Sequence, residues 1–136
     1  MTGQDGDLVA EVTRLYAVQS HAIDDGDAEG WAATFTEDGE FASPTHGAPV
    51  RGRAALRRFA AELYRRHRAQ GVRERHWVNN VSVEVRSGEV HARAYLLIVR
   101  IGADGVPVPA RHVVICDRLV YVDGWRVRQR TVQVDP

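Results

Sequence analysis

The chain has 136 residues, of which 44% are hydrophobic and 26% are charged, as in a soluble globular domain with one core. Lysine plus arginine and aspartate plus glutamate both number 18, so no net charge attracts nucleic acid or an anionic membrane. No apolar run approaches the roughly 20 residues that span a bilayer, and the polar N-terminus is unlike a secretory signal. We therefore expect a cytoplasmic protein with one domain, residues 1–136, and with neither nucleic-acid nor membrane partners.

The only cysteine, Cys116, lies in an apolar run, so no internal disulfide can form. It belongs to no CxxC or Cys/His pattern, and the histidines do not have zinc-ligand spacing. Phosphate-binding loops, Rossmann glycine patterns and GxSxG motifs are also missing from the sequence. We expect neither a metal nor a cofactor.

The first half of the chain predicts three helices, because apolar residues recur at helical spacing. The predicted helices cover residues 7–24, 28–35 and 53–68. Gly26 is expected to end the first helix, Asp27 to cap the second, and Gly71 to end the third. Phe41 falls in a predicted short strand. The arginine runs RGRAALRRF and YRRHR of the third helix are interpreted as its solvated face rather than as a binding patch.

The second half predicts four long strands, because runs rich in Val, Ile and Tyr alternate with the turn signals SG, ADG and DG. The predicted strands cover residues 73–86, 89–101, 110–122 and 125–134. The two middle strands are apolar on both faces, so helices are expected on one face and a partner subunit or a closed cavity on the other. This order of elements predicts an α+β fold, a cone-shaped α+β barrel with three N-terminal helices packed on a curved, mainly antiparallel sheet. Such an apolar cone is suited to a small molecule.

Polar residues open the first long strand, RERHWVNNVSVEV. Under strict alternation His76, Val78 and Asn80 share one face, which we predict to face the cone. A bulge would exchange the faces and make Asn79 the substitute for Asn80. An imidazole exchanges protons near neutral pH, so His76 is a candidate acid and base. The alternative is a surface histidine, or a core histidine that is hydrogen-bonded within the protein.

Acidic and amide side chains lie near the end of the first helix. Asp24 follows the apolar Ile23, where its carboxylate can orient an imidazole at the mouth of the cone, although acids before a glycine are also common at helix ends. Gln19 lies on the same apolar helix face, which suggests a hydrogen-bonding group directed into the pocket. Trp31, on the second helix, is one of the residues expected to shape the cone.

One carboxylate, Asp117, interrupts the apolar run VVICDRLVYV. A buried carboxylate is costly unless it is paired. Asp117 therefore either faces a polar cavity or forms an ion pair with Arg130 or Arg128.

Three runs together resemble one known family: YAVQSHAIDDGDAEGWAATFTEDGEF, RHWVNNVSVE and DRLVYVDGWRVRQRTV. They resemble the SnoaL-like branch of the nuclear transport factor 2-like superfamily, and most closely the group of scytalone dehydratase and the bile-acid dehydratases. The resemblance covers residues 8–134. It implies an α+β cone, usually paired as a homodimer through the sheet. It also implies cofactor-free dehydration, isomerisation, cyclisation or, in some members, hydroxylation of polyketide or steroid-like molecules.

The resemblance also implies roles for two residues. In the dehydratases a histidine on the first long strand acts as acid and base, and His76 falls on that position. An aspartate at the end of the first helix supports that histidine, and Asp24 falls there.

The sequence departs from the dehydratase pattern where the substrate carbonyl is activated. Gln19 and Ile23 hold the positions at which a tyrosine is expected, and Arg100 lies near the place of a second histidine. The candidate replacements are Tyr16, Asn80 and Tyr95.

The sequence thus predicts a homodimeric, cofactor-independent enzyme of secondary metabolism, a dehydratase, polyketide cyclase or isomerase of apolar or aromatic carbonyl compounds. His76 and Asp24 are the expected catalytic residues, and Asn80 or Gln19 would donate a hydrogen bond to the enolate oxygen. Tyr16, Trp31 and Asp117 complete the expected substrate-binding set. Two alternatives remain, a non-catalytic protein that binds a small molecule in the same cone, and a dimerisation module whose cone is filled by its own side chains.

Overall fold

A computed structural model of the chain describes residues 2–134, with side chains from residue 6 onward. The three predicted helices are present, α1 at Thr2–Asp25, α2 at Ala28–Ala33 and α3 at Arg53–Gln70. Residues 1, 135 and 136, which the predicted domain of residues 1–136 includes, lie outside the described residues. Within the described range, no helix combines the length and the apolar character needed to cross a membrane.

The helix ends follow the predicted capping residues. Gly26 has a φ of 83° directly after α1, and a Cβ there would lie 2.8 Å from the ring of Tyr64 on α3. Only glycine lets the chain pass so close to that ring in this conformation. The Asp27 carboxylate accepts a hydrogen bond of 2.9 Å from the backbone N–H of Gly30, and Gly71 ends α3 in the left-handed conformation. The predicted caps are confirmed.

Six strands form one curved sheet, in the order β2-β1-β6-β5-β4-β3. The strands are β1 (Phe35–Ala42), β2 (Val50–Arg51), β3 (Arg73–Arg86), β4 (Glu89–Ile101), β5 (Pro107–Tyr121) and β6 (Trp125–Val134). β1 pairs with β6 in parallel, and every other pair is antiparallel. The sheet does not close into a barrel, so the helices form the other side of the cone. The predicted α+β architecture is confirmed, with an open sheet rather than a closed barrel.

Residues on the concave face of the sheet lie side by side in rows across neighbouring strands. In order, the rows are His76–Ile98–Arg111, Val78–Leu96–Val113, Ala94–Ile115–Val132 and Ala92–Asp117–Arg130. The two middle rows are apolar, whereas the outer two carry imidazole, carboxylate and guanidinium groups. The register therefore places polar chemistry at two separate levels of the cone.

Strict alternation along β3, which the sequence analysis assumed, is wrong at the two asparagines. The pairing of β3 with β4 shifts register after Asn79, and Asn80 has a φ of 54°. This is a β-bulge, and asparagine is among the residues that tolerate the left-handed conformation it contains. The β3 residues that contact the cavity or the core are Glu74, His76, Val78, Val81 and Val83. Both asparagines are exposed instead.

Two strand boundaries differ from the prediction. β1 begins at Phe35, which was expected to end the second helix, because the backbone N–H of Thr34 closes α2 on the carbonyl of Trp31. β5 begins at Pro107, before the predicted start at residue 110. Proline is tolerated as the first residue of a strand, where it need not donate to the ladder.

Candidate active site

A cavity of about 370 Å³ lies between the helices and the concave face of the sheet. Its middle is apolar. The side chains that line this part are Ile23, Trp31, Phe41, Phe59, Leu63, Val78, Leu96, Ile98, Val113, Ile115 and Val132. A cavity of this size, enclosed by aliphatic and aromatic side chains, matches the pockets that bind small cyclic molecules.

Polar groups line the cavity at its two ends. We call the open end the mouth, which consists of Arg66, His67, Glu74, His76, Arg100 and Arg111. We call the buried end the floor, where Gln19 and Arg130 line the cavity, with Tyr16, Thr34 and Asp117 directly behind them.

At the mouth, His76 and Asp24 form a close pair although they are 52 positions apart in the chain. The Nδ1 atom of His76 lies 2.6 Å from Oδ1 of Asp24, and the backbone N–H of His76 donates to Oδ2 at 3.0 Å. Both side chains are largely buried. Because the carboxylate accepts from Nδ1, we assign the neutral ring a proton on Nδ1 and a lone pair on Nε2. Nε2 is then the ring nitrogen that can take a proton from a ligand.

A second imidazole at the mouth is tied to an ion pair. Nε2 of His67 lies 3.3 Å from Glu74, and the other oxygen of Glu74 accepts from the guanidinium of Arg100 at 2.8 Å. Burial lowers the pKa of His67, the carboxylate of Glu74 opposes that shift, and the positive charges of Arg100 and His76 lower the pKa further. His67 therefore favours the neutral form near pH 7.

The floor is a closed hydrogen-bond network. Asp117 accepts from the hydroxyl of Tyr16 at 2.7 Å and from Arg130 at 2.9 Å and 2.8 Å. Arg130 also donates to Gln19 at 2.7 Å, and Gln19 donates to Thr34 at 2.9 Å. Burial, followed by the charge of Asp117, raises the pKa of Tyr16 well above its usual range. The phenol thus stays protonated, and the buried carboxylate is fully paired.

Aromatic side chains close the helix side of the cavity. The ring of Trp31 lies 4.9 Å from that of Phe35 and 5.9 Å from that of Phe59, and the ring of His46 lies 4.6 Å from Phe59. His46 belongs to the loop between β1 and β2, so this loop packs over the cavity through a ring contact. Edge-to-face packing of this kind fixes the shape of an apolar wall.

The seven residues predicted for the site separate into three groups. His76, Gln19 and Trp31 line the cavity, and Asp24 contacts His76 from behind. Tyr16 and Asp117 form the second group, behind the cavity wall. Asn80 alone forms the third, at the bulge.

The predicted placement of these last three residues in the pocket is corrected by the structure. Tyr16 and Asp117 lie behind the cavity wall, because a carboxylate without solvent requires the partners that Tyr16 and Arg130 supply. The ion pair between Asp117 and Arg130 was one of the two alternatives left open by the sequence. Asn80 is exposed at the bulge, and Asn79 is exposed as well.

Apart from His76, the residues of the mouth were not foreseen as part of the site. Arg66 and His67 belong to the arginine run that was interpreted as solvated, yet they line the cavity together with Phe59 and Leu63. Leu63 lies four residues after Phe59, and Arg66 and His67 lie three and four residues after Leu63, which is the spacing of one helix face, and this signal was available in the sequence. Arg57, like the other arginines on the opposite face of α3, is exposed.

Among residues 2–134, no three His, Cys, Asp or Glu side chains are grouped so that they could hold a metal ion.

The comparisons with known proteins agree with this architecture. The model of the SnoaL-like domain family matches residues 7–131. The comparison with curated proteins gives no match. ActVI-ORFA from Streptomyces coelicolor has 32% sequence identity over 95% of this chain and 98% of its own, with a TM-score of 0.86.

Two further solved structures are similar. A Catenulispora acidiphila protein in complex with S-DNPA has 33% identity over 96% of this chain and 95% of its own, with a TM-score of 0.82. An NTF2-like protein with a cystatin-like fold from Novosphingobium aromaticivorans has 26% identity over 96% of this chain and 82% of its own, with a TM-score of 0.80. The chain described here belongs to the SnoaL-like domain family of the nuclear transport factor 2-like superfamily.

Proposed function

We propose that this protein is a cofactor-independent enzyme that binds a cyclic or polyketide-like carbonyl compound in the cone and moves a proton on it through His76. One observation carries the proposal: the 2.6 Å contact between His76 and Asp24, in which the imidazole also lines an apolar cavity of about 370 Å³. A base held in one tautomer beside an apolar pocket is the arrangement that general acid–base catalysis requires. The family of the chain, and a relative solved with a small molecule bound, support a ligand in this cavity.

In the proposed reaction, Nε2 of His76 removes a proton from the carbon next to the ligand's carbonyl group. The electron pair of the broken C–H bond moves into an enolate, and the imidazolium is stabilised by the carboxylate of Asp24. The same imidazolium then returns the proton. Delivery to a leaving hydroxyl gives dehydration, and delivery to another carbon gives isomerisation. Attack of the enolate carbon on a second carbonyl, with delivery of the proton to the resulting alkoxide oxygen, gives cyclisation.

The developing enolate oxygen needs a hydrogen-bond donor. Gln19 lines the cavity, and only one of its two amide hydrogens is used by Thr34, so the other is our candidate donor. Ser20 also lines the cavity and lies one helical turn before Asp24, which makes its hydroxyl a second candidate. Asn80 has no part in this proposal, because it does not line the cavity.

The test is proton exchange on an enolisable probe. 2-Tetralone in D2O exchanges its α-protons slowly in buffer, and ¹H NMR measures the rate. We expect the wild-type protein to accelerate exchange and His76→Gln to lower the accelerated rate about 100-fold or more. Asp24→Asn should reduce it less, because the base remains. His91→Gln is the matched control, since His91 pairs with Glu89 outside the cavity.

A non-catalytic binding protein is the second candidate function. The floor favours it, because most donors of Gln19 and Arg130 are already used within the protein. In that case calorimetry would detect binding of 2-tetralone, while exchange would be no faster with wild type than with His76→Gln. The third interpretation, a dimerisation module whose cone is filled by its own side chains, does not agree with the cavity of about 370 Å³ in the cone.

We also propose that the protein is a homodimer paired through the convex face of the sheet. On that face Trp77 is 58% exposed and Tyr95 is 37% exposed, and large aromatic side chains on a surface are typical of interfaces. Light scattering of the wild-type protein should give twice the monomer mass, and Trp77→Glu should shift it toward the monomer. A monomeric wild type at tens of micromolar would refute the pairing.

A further inference from the structure

The cations at the cavity differ in whether a carboxylate neutralises them. Arg130 pairs with Asp117, and Arg100 pairs with Glu74. Both guanidinium groups are therefore balanced within the protein.

Arg66 and Arg111 also line the cavity, and neither forms an ion pair with a carboxylate among the described side chains. Among the described residues, the only side-chain hydrogen bond of Arg111 is the one that it donates to the Thr45 hydroxyl, at a distance of 3.4 Å. In a chain with equal numbers of acidic and basic residues, two unbalanced cations at one opening form a local positive field.

The two guanidinium groups come from opposite walls of the mouth. Arg66 is on α3, next to His67, whereas Arg111 is on β5 in the same row as His76. Ile98 of β4 separates Arg111 from His76, so their backbones are about 10 Å apart, or two strand spacings. A group held between the two arginines therefore lies above the apolar part of the cone and within a small molecule's length of Nε2 of His76.

Arginine recognises carboxylates through paired N–H donors, and the field of such a pair is strengthened by low-dielectric walls. We propose that the mouth is a carboxylate-binding subsite, and that the ligand of this protein is an amphipathic organic acid. Its ring system occupies the apolar cone, and its carboxylate lies between Arg66 and Arg111. This inference rests on the proposed use of the cone, and it adds the chemical class of the substrate and the direction in which it binds.

The test compares two probes with the same ring system and different charge, 2-naphthoate and 2-naphthamide. Binding is followed by calorimetry. At low salt we expect naphthoate to bind about ten-fold more tightly than naphthamide, and the preference to shrink as salt is added.

Variants of the two arginines test whether these side chains cause the preference for naphthoate over naphthamide. Arg66→Gln and Arg111→Gln should each weaken naphthoate binding about three-fold or more and leave naphthamide binding unchanged. Arg111→Lys keeps the charge and should retain part of the preference, which separates loss of charge from loss of fold. Arg57→Gln is the matched control, since Arg57 is on the exposed face of α3.

Each outcome has a distinct meaning. Equal affinities for the two probes, or a preference that survives in the Arg66→Gln/Arg111→Gln double variant, would overturn the carboxylate subsite and leave the proton exchange of 2-tetralone intact. If neither probe binds and 2-tetralone does not exchange, the proposed function of the cone fails together with the subsite. A charge preference without any proton exchange would support the subsite in a binding protein.

Discussion

The floor and the mouth of the cavity contain the same kind of ion pair in different surroundings. The Arg130–Asp117 and Arg100–Glu74 pairs both have a nitrogen–oxygen distance of 2.8 Å. At the floor the side chains are 9% and 0% exposed, whereas at the mouth they are 44% and 10% exposed. Distance alone therefore does not describe such a pair. Access to water also matters, because it determines whether a charge can change partners or protonation at low cost.

The largest effect on the free energy of unfolding is expected at the floor. Arg130→Met leaves Asp117 as a buried carboxylate without its guanidinium, and we expect it to lower the free energy of unfolding by about 3–5 kcal/mol. The corresponding change at the mouth, Arg100→Met, should cost less, about 1 kcal/mol, because the Arg100 side chain is 44% exposed and Glu74 keeps its contact with His67. Urea unfolding of both variants measures the difference.

A smaller effect on the free energy of unfolding is expected at the bulge, which separates the half of β3 at the mouth from the rest of the strand. Asn80 has a φ of 54°, which glycine adopts freely and a β-branched residue does not. Asn80→Val should therefore lower the free energy of unfolding by about 1–3 kcal/mol, and Asn80→Gly should change it much less.

Naphthoate binding provides the control for the bulge variants. Because Asn80 does not line the cavity, Asn80→Gly should bind this probe as the wild type does. A loss of binding in a stably folded Asn80→Gly protein would show that the asparagine side chain contacts the ligand after all.

The smallest effect concerns the pH dependence of stability at the mouth. Burial, together with Arg100 and His76, lowers the pKa of His67 in the folded protein below the usual 6.5. As the pH falls through about 6.5, the unfolded chain therefore takes up a proton that the folded protein does not, so stability decreases until the folded pKa is reached. Removing the imidazole in His67→Gln should flatten this decrease by less than about 1 kcal/mol.

Thermal unfolding between pH 7.5 and pH 5 measures that slope. His91→Gln is the matched control, since His91 is also paired with a glutamate but lies outside the cavity. A His67→Gln protein whose stability falls as steeply as that of the wild type would contradict the assigned cause.

Local patterns predicted most of the fold. Helical spacing of apolar residues and the turn signals between strands give the elements and their order, and Gly26 and Gly71 mark helix ends because the backbone there needs a left-handed residue. The parallel pairing of β1 with β6 joins distant parts of the chain and leaves no local signal. The bulge was an open alternative, because paired asparagines are equally compatible with a regular strand in which their amides hydrogen-bond.

The site was less predictable than the fold. Asp24 looks like an ordinary acid at a helix end, and its contact with His76 across 52 positions was one of two alternatives, which the resemblance to the dehydratases favoured. The exposure of Arg66 and Arg111 in a mouth also depends on the curvature of the sheet and the position of α3, and neither can be derived from spacing. Asp117 and Arg130, by contrast, lie on the two strands of one hairpin and are paired across it, after a register shift between Arg118 and Leu119.

The bulge at Asn79 and Asn80 makes the length of this strand adjustable without any change in the direction of His76. β3 has one residue more than β4 across this stretch, and the bulge keeps both His76 and Val81 on the concave side of the sheet. Loss of that single residue would give a regular strand in which His76 and Val81 still share the concave side. When homologous sequences are compared, a histidine that is followed by a gap of one residue in this strand can therefore still occupy the same site.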